Sequence, residues 1–294
     1  MASRNLLSVI VPFSVSDNRR NSLNEWLPDA LKNLVEVIVV VDGDGPENIK
    51  AISEVKKEVT SKDLKIVTST SKGPGGARNL GLEFATHRHV AFWDSDDLPL
   101  VSDFLSMAEK LEDTNFDCAI GDFIWEDETG RSAPRQNGFK SNFMTSIARN
   151  PGIWRMVFRR DSLGSVAFPE TAMAEDQVFL TRYNLADRKI MKSELNVYQY
   201  RFGNNYHLTK QKTALKDLRH SREEILKNLP NKTTGERSFE SMLVIKQLIS
   251  EIKVSGFTPR MKAIFCLLSL LLFGRKNSRT TFLKNFLKFF KVVG

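Results

Sequence analysis

The chain has 294 residues, 41% of them hydrophobic and 27% charged, which is the composition of a globular protein and excludes a disordered or fibrous one. Two cysteines are too few for a disulfide framework, and reduced thiols suit a cytoplasmic protein. The net charge of +8 is local: residues 255–294 carry eight Lys or Arg and no acid, so of 43 basic and 35 acidic residues the body 1–254 keeps 35 of each.

Met1 to Asn5 leads straight into an apolar run, so no secretory signal peptide is expected. That run, Ser8-Val9-Ile10-Val11-Pro12, is followed by Val37-Ile38-Val39-Val40-Val41, which ends in Asp42-Gly43-Asp44-Gly45. Lys65-Ile66-Val67-Thr68 is a third run and His89-Val90-Ala91-Phe92-Trp93 a fourth. Short β-branched runs bounded by Gly, Pro and Asp predict buried parallel strands when helical segments separate them. The separators here are Leu23 to Leu34, Pro46 to Val59 and Ala77 to Ala85. The alternation predicts an α/β protein whose ligands bind outside the carboxyl ends of the strands. Further on, Phe116 to Ile120 reads as a strand with Cys118 in the core, and Gly152 to Phe158 as another. Glu175-Asp176 opens an amphipathic helix at Gln177 to Leu180, and Thr213 to Lys253 reads as helices broken at Pro230 and at the loop from Lys232 to Gly235.

The chemistry concentrates at the strand ends. Asp94-Ser95-Asp96, with Asp97 next, puts three acids at the end of the fourth strand. Hard cations such as Mg²⁺ and Mn²⁺ take carboxylate oxygens, water and substrate phosphates, and crowded acids repel one another unless a cation or solvent relieves them. Asp42 has two readings, a solvated strand-end cap or an acceptor for the imide N–H of uracil. Gly73, Gly75 and Gly76 allow close backbone approach, and Arg78 either meets a pyrophosphate as a planar fork or pairs with Asp94 or Asp97. No Gly-Lys-Ser/Thr follows, so this is not a P-loop, and the glycine spacing is not that of a dinucleotide fingerprint.

In this order, SVIVP, VIVVVDGDG, GPGGARNLGLEFA and VAFWDSDD resemble the nucleotide-binding half of family 2 glycosyltransferases, over roughly residues 6–210. Ala174-Glu175-Asp176-Gln177 resembles the ED motif of that family. One departure is at the second strand, where the family often has paired acids and this chain has Val41 and Asp42. The resemblance implies a GT-A fold, a Rossmann-like, mostly parallel central sheet flanked by helices, here with a helical C-terminal extension. It implies a nucleotide-sugar site from Pro12, Phe13, Asp42, Gly75, Arg78, Asp94 and Ser95, with UDP favoured, and a Mn²⁺ or Mg²⁺ site at Asp96 and Asp94 with His207 as a further candidate. Asp176 would be the general base and Glu175 its neighbour, giving single displacement with inversion. Trp154 and Arg155 stand where the family builds its acceptor side, with core packing as the equal alternative.

The tail is apolar as well as basic. Ala263 to Gly274 is an uncharged run of twelve, short of the ~20 residues a spanning helix needs. Phe282, Leu283, Phe286, Leu287, Phe289 and Phe290 then alternate with Lys284, Lys288 and Lys291. Such a stripe with basic edges predicts a helix lying in a membrane interface, and its aliphatic length suits lipid better than nucleic acid. A buried helical hairpin or a dimer interface is the other reading.

The expected organisation is therefore a catalytic domain over 1–212, with a nucleotide-binding half 1–97 and an acceptor half 98–212. A helical linker 213–254 and a basic amphipathic tail 255–294 follow. The expected function is an inverting, metal-assisted glycosyltransferase on the inner face of a cell membrane, its acceptor a lipid-linked or envelope glycan such as capsule or lipopolysaccharide. A sugar nucleotidyltransferase is disfavoured, because Pro12-Phe13-Ser14-Val15 lacks the Gly-rich basic loop such enzymes carry after the first strand. A catalytically idle scaffold is disfavoured by the acids at 94, 96, 97, 175 and 176.

Overall fold

The computed structural model describes residues 6–14, 17–43, 45, 47, 50, 61–71, 73–127, 129–134, 143–171, 173–201, 214–272 and 276–291. They divide into two compact units. One comprises Met1–Gln136, Ile153–Thr171 and Arg188–Asn204, the other Asn137–Gly152, Ala172–Asp187 and Asn205–Gly294.

The first unit is built on a mixed sheet. Its first half alternates β1 (Leu7–Phe13), α1 (Asp17–Lys32), β2 (Glu36–Asp42), β3 (Leu64–Ser69), α2 (Gly73–Phe84) and β4 (His89–Phe92). The segment expected to be helical over Pro46 to Val59 lies mostly outside the described residues. Then come β5 (Leu98–Pro99), α3 (Val101–Glu112), β6 (Cys118–Glu126), β7 (Ser132–Pro134), β8 (Met156–Arg159), α5 (Arg160–Leu163) and β9 (Ile190–Arg201), with α4 (Phe143–Arg149) falling in the other unit. Strand order is β3-β2-β1-β4-β8-β6-β9-β5, with β7 paired to β6. The pairs β1·β2, β1·β4, β2·β3 and β6·β9 are parallel, and β8 runs antiparallel between β4 and β6.

The apolar runs explain the central strands. Every residue of β4, and all but one residue in each of β1 and β2, is buried, as expected where helices cover both faces of a parallel sheet. Each such Val, Ile or Leu contributes roughly 1.5–3 kcal/mol through burial. Pro12 is tolerated because the ladder from β1 to β4 ends at Ile10, so its missing N–H falls where β4 no longer pairs. At the opposite, amino-terminal end of the sheet Glu36 takes bonds from Ser8, Lys65 and Thr86. Burial alone would raise this carboxyl, but those bonds bring it down to about 2.

The stretch Gly152 to Phe158, expected to be a strand throughout, is a single 3₁₀ turn at Ile153–Arg155 followed by β8. All seven residues are buried, so no alternation marks the turn in the sequence. The turn sends Arg155 inward, its Nη1 3.3 Å from the Gly121 carbonyl and its guanidinium over the Phe123 ring.

The second unit is helical. After α6 (Glu175–Arg182) come α7 (Ala214–Asn228), α8 (Thr234–Val254), α9 (Phe257–Leu272) and α10 (Lys276–Lys291). Helix α8 starts with a capping box: Thr233 accepts from the Glu236 N–H and Glu236 accepts from the Thr233 N–H. Ile225, Val244, Leu248, Ala263 and Phe282 share one apolar cluster, so α7 to α10 pack as a bundle.

Candidate functional site

The chain order of the parallel strands reverses between β1 and β4, and ligands of open α/β sheets bind at such switch points. β4 ends there, and its last ladder bond runs from Trp93 N–H to the Ile10 carbonyl at 3.1 Å. Trp93 is buried edge-on to Trp26 at 5.1 Å and against Phe104 at 4.9 Å. That anchored ring fixes the point where the strand stops, and Asp94, Ser95, Asp96 and Asp97 turn away from it.

Each acid of the turn has its own environment. Asp94 receives Arg78 Nη2 at 2.8 Å, and its backbone N–H donates to Tyr198 Oη at 3.0 Å. Arg78 is buried on α2, its guanidinium 5.6 Å from the Phe168 ring centre. Asp96 is half-buried, and its carbonyl accepts from Ser22 Oγ at 3.3 Å. Asp97 is buried and accepts from the Arg201 N–H at 2.8 Å. Burial first, then the charges of Asp96 and Asp94, push its carboxyl well above the usual range, against the bonds from Arg201 and Tyr198. Tyr198 is itself buried, and its hydroxyl is raised well above its ordinary value by burial and then by Asp97 and Asp94.

Arg201 ties this turn to the rest of the unit. Its guanidinium reaches Glu25 at 2.6 Å, Ser22 Oγ at 3.0 Å and Glu126 at 3.2 Å. Burial opposes its charge, but Glu25 and Glu126 raise its pKa regardless. Tyr198 and Arg201 were not singled out from the sequence. They follow the acids by about a hundred residues, and only their place on β9 brings them to the turn.

The other expected site residues are placed as follows. Ser95 and Phe13 are buried, Pro12 is half-buried, and Asp42 is exposed at the end of β2, two strands from β4. Gly75 is buried on α2, where an added Cβ would lie 2.1 Å from the Pro169 carbonyl oxygen. Its lack of a side chain therefore serves close packing of the chain on itself. Trp154 is buried and stacks on Tyr198 at 4.6 Å and Tyr200 at 5.5 Å, behind the acidic turn. Arg155 is buried in the same core. Glu175 and Asp176 belong to the second unit, in the first turn of α6 after Ala174, whose φ is +63°. Asp176 Oδ1 accepts from the Gln177 N–H at 2.7 Å, and the helix is fixed behind by Gln247 donating to Gln177 at 3.0 Å. His207 lies outside the described residues.

Among the described residues no group of three or more His, Cys, Asp or Glu is placed to hold a metal ion. Asp97 is turned inward, whereas Asp94 and Asp96 are half-buried carboxylates of the same turn and are the ones that would hold a cation. One or two carboxylates with phosphate oxygens and water are a usual ligand set for Mg²⁺, so the turn fits a cation that arrives with a diphosphate.

The profile of Glycosyl transferase family 2 matches residues 8–171, and the chain belongs to that family. It is 25% identical over 249 residues to the uncharacterized glycosyltransferase YibD of Escherichia coli K12, covering 76% of this chain and 70% of that one. A crystal structure of residues 1–349 of TarS from S. aureus, in complex with UDP-GlcNAc, superposes with a TM-score of 0.62 at 21% identity, over 98% of this chain and 81% of that one. The mannosyltransferase PcManGT of Pyrobaculum calidifontis, in complex with GDP-Man and Mn²⁺, gives 0.58 at 17% identity, over 99% and 87%. The fold is thus that of the GT-A glycosyltransferases, with a helical C-terminal region, and the chain is a glycosyltransferase by family.

Proposed function

We propose that this chain is an inverting glycosyltransferase that moves a sugar from a nucleotide-diphosphate donor, UDP favoured, to a hydroxyl of a lipid-linked or cell-envelope glycan at the inner face of the membrane. The observation that carries the reading is the acidic turn Asp94–Asp97 at the switch point, with Arg78 2.8 Å from Asp94. The nucleotide sugars bound by TarS and PcManGT, one a UDP-sugar and one with Mn²⁺, support a donor of this class and a divalent cation. Division of labour follows from the chemistry of each side chain. Asp42 accepts from the base, the α2 start with Gly75 and Arg78 faces the diphosphate, and Asp96 with Asp94 holds the cation. Bound Mg²⁺ or Mn²⁺ supplies a Lewis acid against the charge that grows on the departing diphosphate.

Asp176 takes the proton of the acceptor hydroxyl, a role worth about 10²–10⁴-fold, and Glu175 orients that hydroxyl. The new bond from acceptor oxygen to anomeric carbon forms as the bond to the diphosphate breaks. The electron pair leaves with the diphosphate and the configuration inverts. Domain roles follow the same division, with residues 1–97 for the donor, 98–212 for the acceptor and the basic tail for the membrane.

The test uses UDP binding with and without Mn²⁺ and transfer from a panel of nucleotide sugars. A Mn²⁺-linked gain in melting temperature with UDP is expected, lost in Asp96→Ala. Asp176→Asn should keep UDP binding and lose at least 10²-fold in transfer. Absence of any metal-linked gain in the parent chain would exclude the cation role, and near-normal turnover in Asp176→Asn would exclude the base.

A further inference from the structure

We propose that the outward face of α9 is the surface on which this chain docks to an anionic lipid bilayer, resting on the reading above that it works at a membrane. Phe257 and Phe265 on that face are 79% and 74% exposed, and Met261, Leu268 and Leu272 are about half exposed. At 3.6 residues per turn these five positions fall within an arc of about 80°. The opposite side of α9 is spoken for: Ala263 is buried, and Cys266, Leu267, Leu270 and Leu271 pack on the bundle cluster. The exposed stripe is therefore apolar surface beyond what the bundle requires, and contiguous patches of that kind mark interaction sites.

Charge selects the occupant. Arg260 and Lys262 are both exposed, and on the helical wheel each lies about 100° from the centre of the stripe, one on either side. No acid occurs anywhere in residues 255–294 against eight Lys or Arg. An apolar stripe between basic edges matches acyl chains beneath anionic headgroups. Among the described residues no helix is long and apolar enough to cross a membrane, so α9 lies along the surface.

The face differs from the one its neighbour's sequence suggests. Phe282 of α10 is buried in the bundle, and Asn285 beside it bonds to Ser238 of α8 through both its amide oxygen and nitrogen. Only Leu283 and Leu287 of that stripe are prominently exposed among the described side chains, which makes α10 a built-in comparison.

The experiment is sedimentation of the full chain with phosphatidylglycerol vesicles and with phosphatidylcholine vesicles, alongside light scattering and donor hydrolysis. The parent chain is expected to bind only the anionic vesicles. Phe257→Ser with Phe265→Ser should weaken that binding at least ten-fold, with melting temperature and donor hydrolysis unchanged. Leu283→Ser with Leu287→Ser should have a smaller effect. Arg260→Glu with Lys262→Glu should abolish the preference for anionic lipid, which gives a second route to the same face. Parent-like binding by the Phe257/Phe265 variant would overturn the assignment of α9 and leave the membrane reading standing. Failure of the parent chain to bind either vesicle would overturn both, without touching glycosyl transfer. Dimers that only the α9 variant dissolves, with no vesicle binding, would make the face a subunit contact and overturn the proposal.

Discussion

Tyr198 accepts a hydrogen bond from the backbone N–H of Asp94 at 3.0 Å, across 104 residues of sequence. The same hydroxyl also acts on the buried carboxyl of Asp97, holding its pKa down against the burial that raises it. In Tyr198→Phe the Asp94 N–H loses its acceptor inside the core. Leaving such a group unmatched costs about 1–3 kcal/mol. A melting temperature lowered accordingly is expected, with a rise in KM for the nucleotide sugar as the turn loosens. A variant that melts and turns over like the parent would remove Tyr198 from the site.

Arg78 has a related but separable role, because its guanidinium meets Asp94 from α2 while staying buried itself. Arg78→Met should destabilise by about 1.5–3 kcal/mol, the range for hydrogen bonds to charged groups, with Asp94 part-exposed and water limiting the loss. Arg78→Lys keeps the charge but not the planar fork, so it should recover stability only in part and donor affinity less. Chemical denaturation and UDP titration of the two variants separate the effects. Equal donor affinity in the Lys variant and the parent would exclude a bidentate role.

Gly75 and Gly256 make a matched pair for backbone approach. A Cβ on Gly75 meets the Pro169 carbonyl oxygen at 2.1 Å, whereas one on Gly256 meets nothing within 4 Å. Carbonyl oxygen is backbone and cannot rotate aside, so Gly75→Ala must push α2 from the segment carrying Pro169. A cost of about 1–3 kcal/mol follows, together with weaker nucleotide binding since Arg78 rides on the same helix. Gly256→Ala should fall within about 0.5 kcal/mol of the parent, as for surface changes generally. Urea denaturation of both variants decides this.

How much of this was legible in the sequence depends on where the information resides. Asp42 and Asp94 to Asp97 stood out because acids interrupt fully apolar runs, and a buried parallel strand must end where charge begins. The break of the helices near Pro230 and Lys232 was legible through turn chemistry and appears as a 3₁₀ turn at Leu229–Asn231. Tyr198 and Arg201 were not legible, because their partners are set by strand pairing between distant segments. The inward turn of Phe282 was hidden for another reason. Periodicity tells which side of a helix is apolar, but both a bundle core and a lipid surface satisfy it, and only packing distinguishes them.

The helix bearing Glu175 and Asp176 is held at its far end by a charged cluster that makes stability depend on pH. Lys232 Nζ reaches the Thr181 carbonyl at 3.0 Å and Glu240 at 3.3 Å. Burial lifts the Glu240 carboxyl from 4.5 to about 7, against the pull of Lys232. An acid whose folded pKa lies above its unfolded value binds its proton more tightly when folded. Its penalty is absent below about 4.5, grows as pH rises toward 7 and is constant above that. Glu240→Gln removes this slope, so the variant should gain about 1–3 kcal/mol relative to the parent between pH 5 and pH 8, less than the full shift because part of the penalty is already present at pH 5. Urea denaturation of both proteins at the two pH values measures the difference. A gap between parent and variant that does not change with pH would mean that Glu240 titrates as an ordinary surface carboxylate.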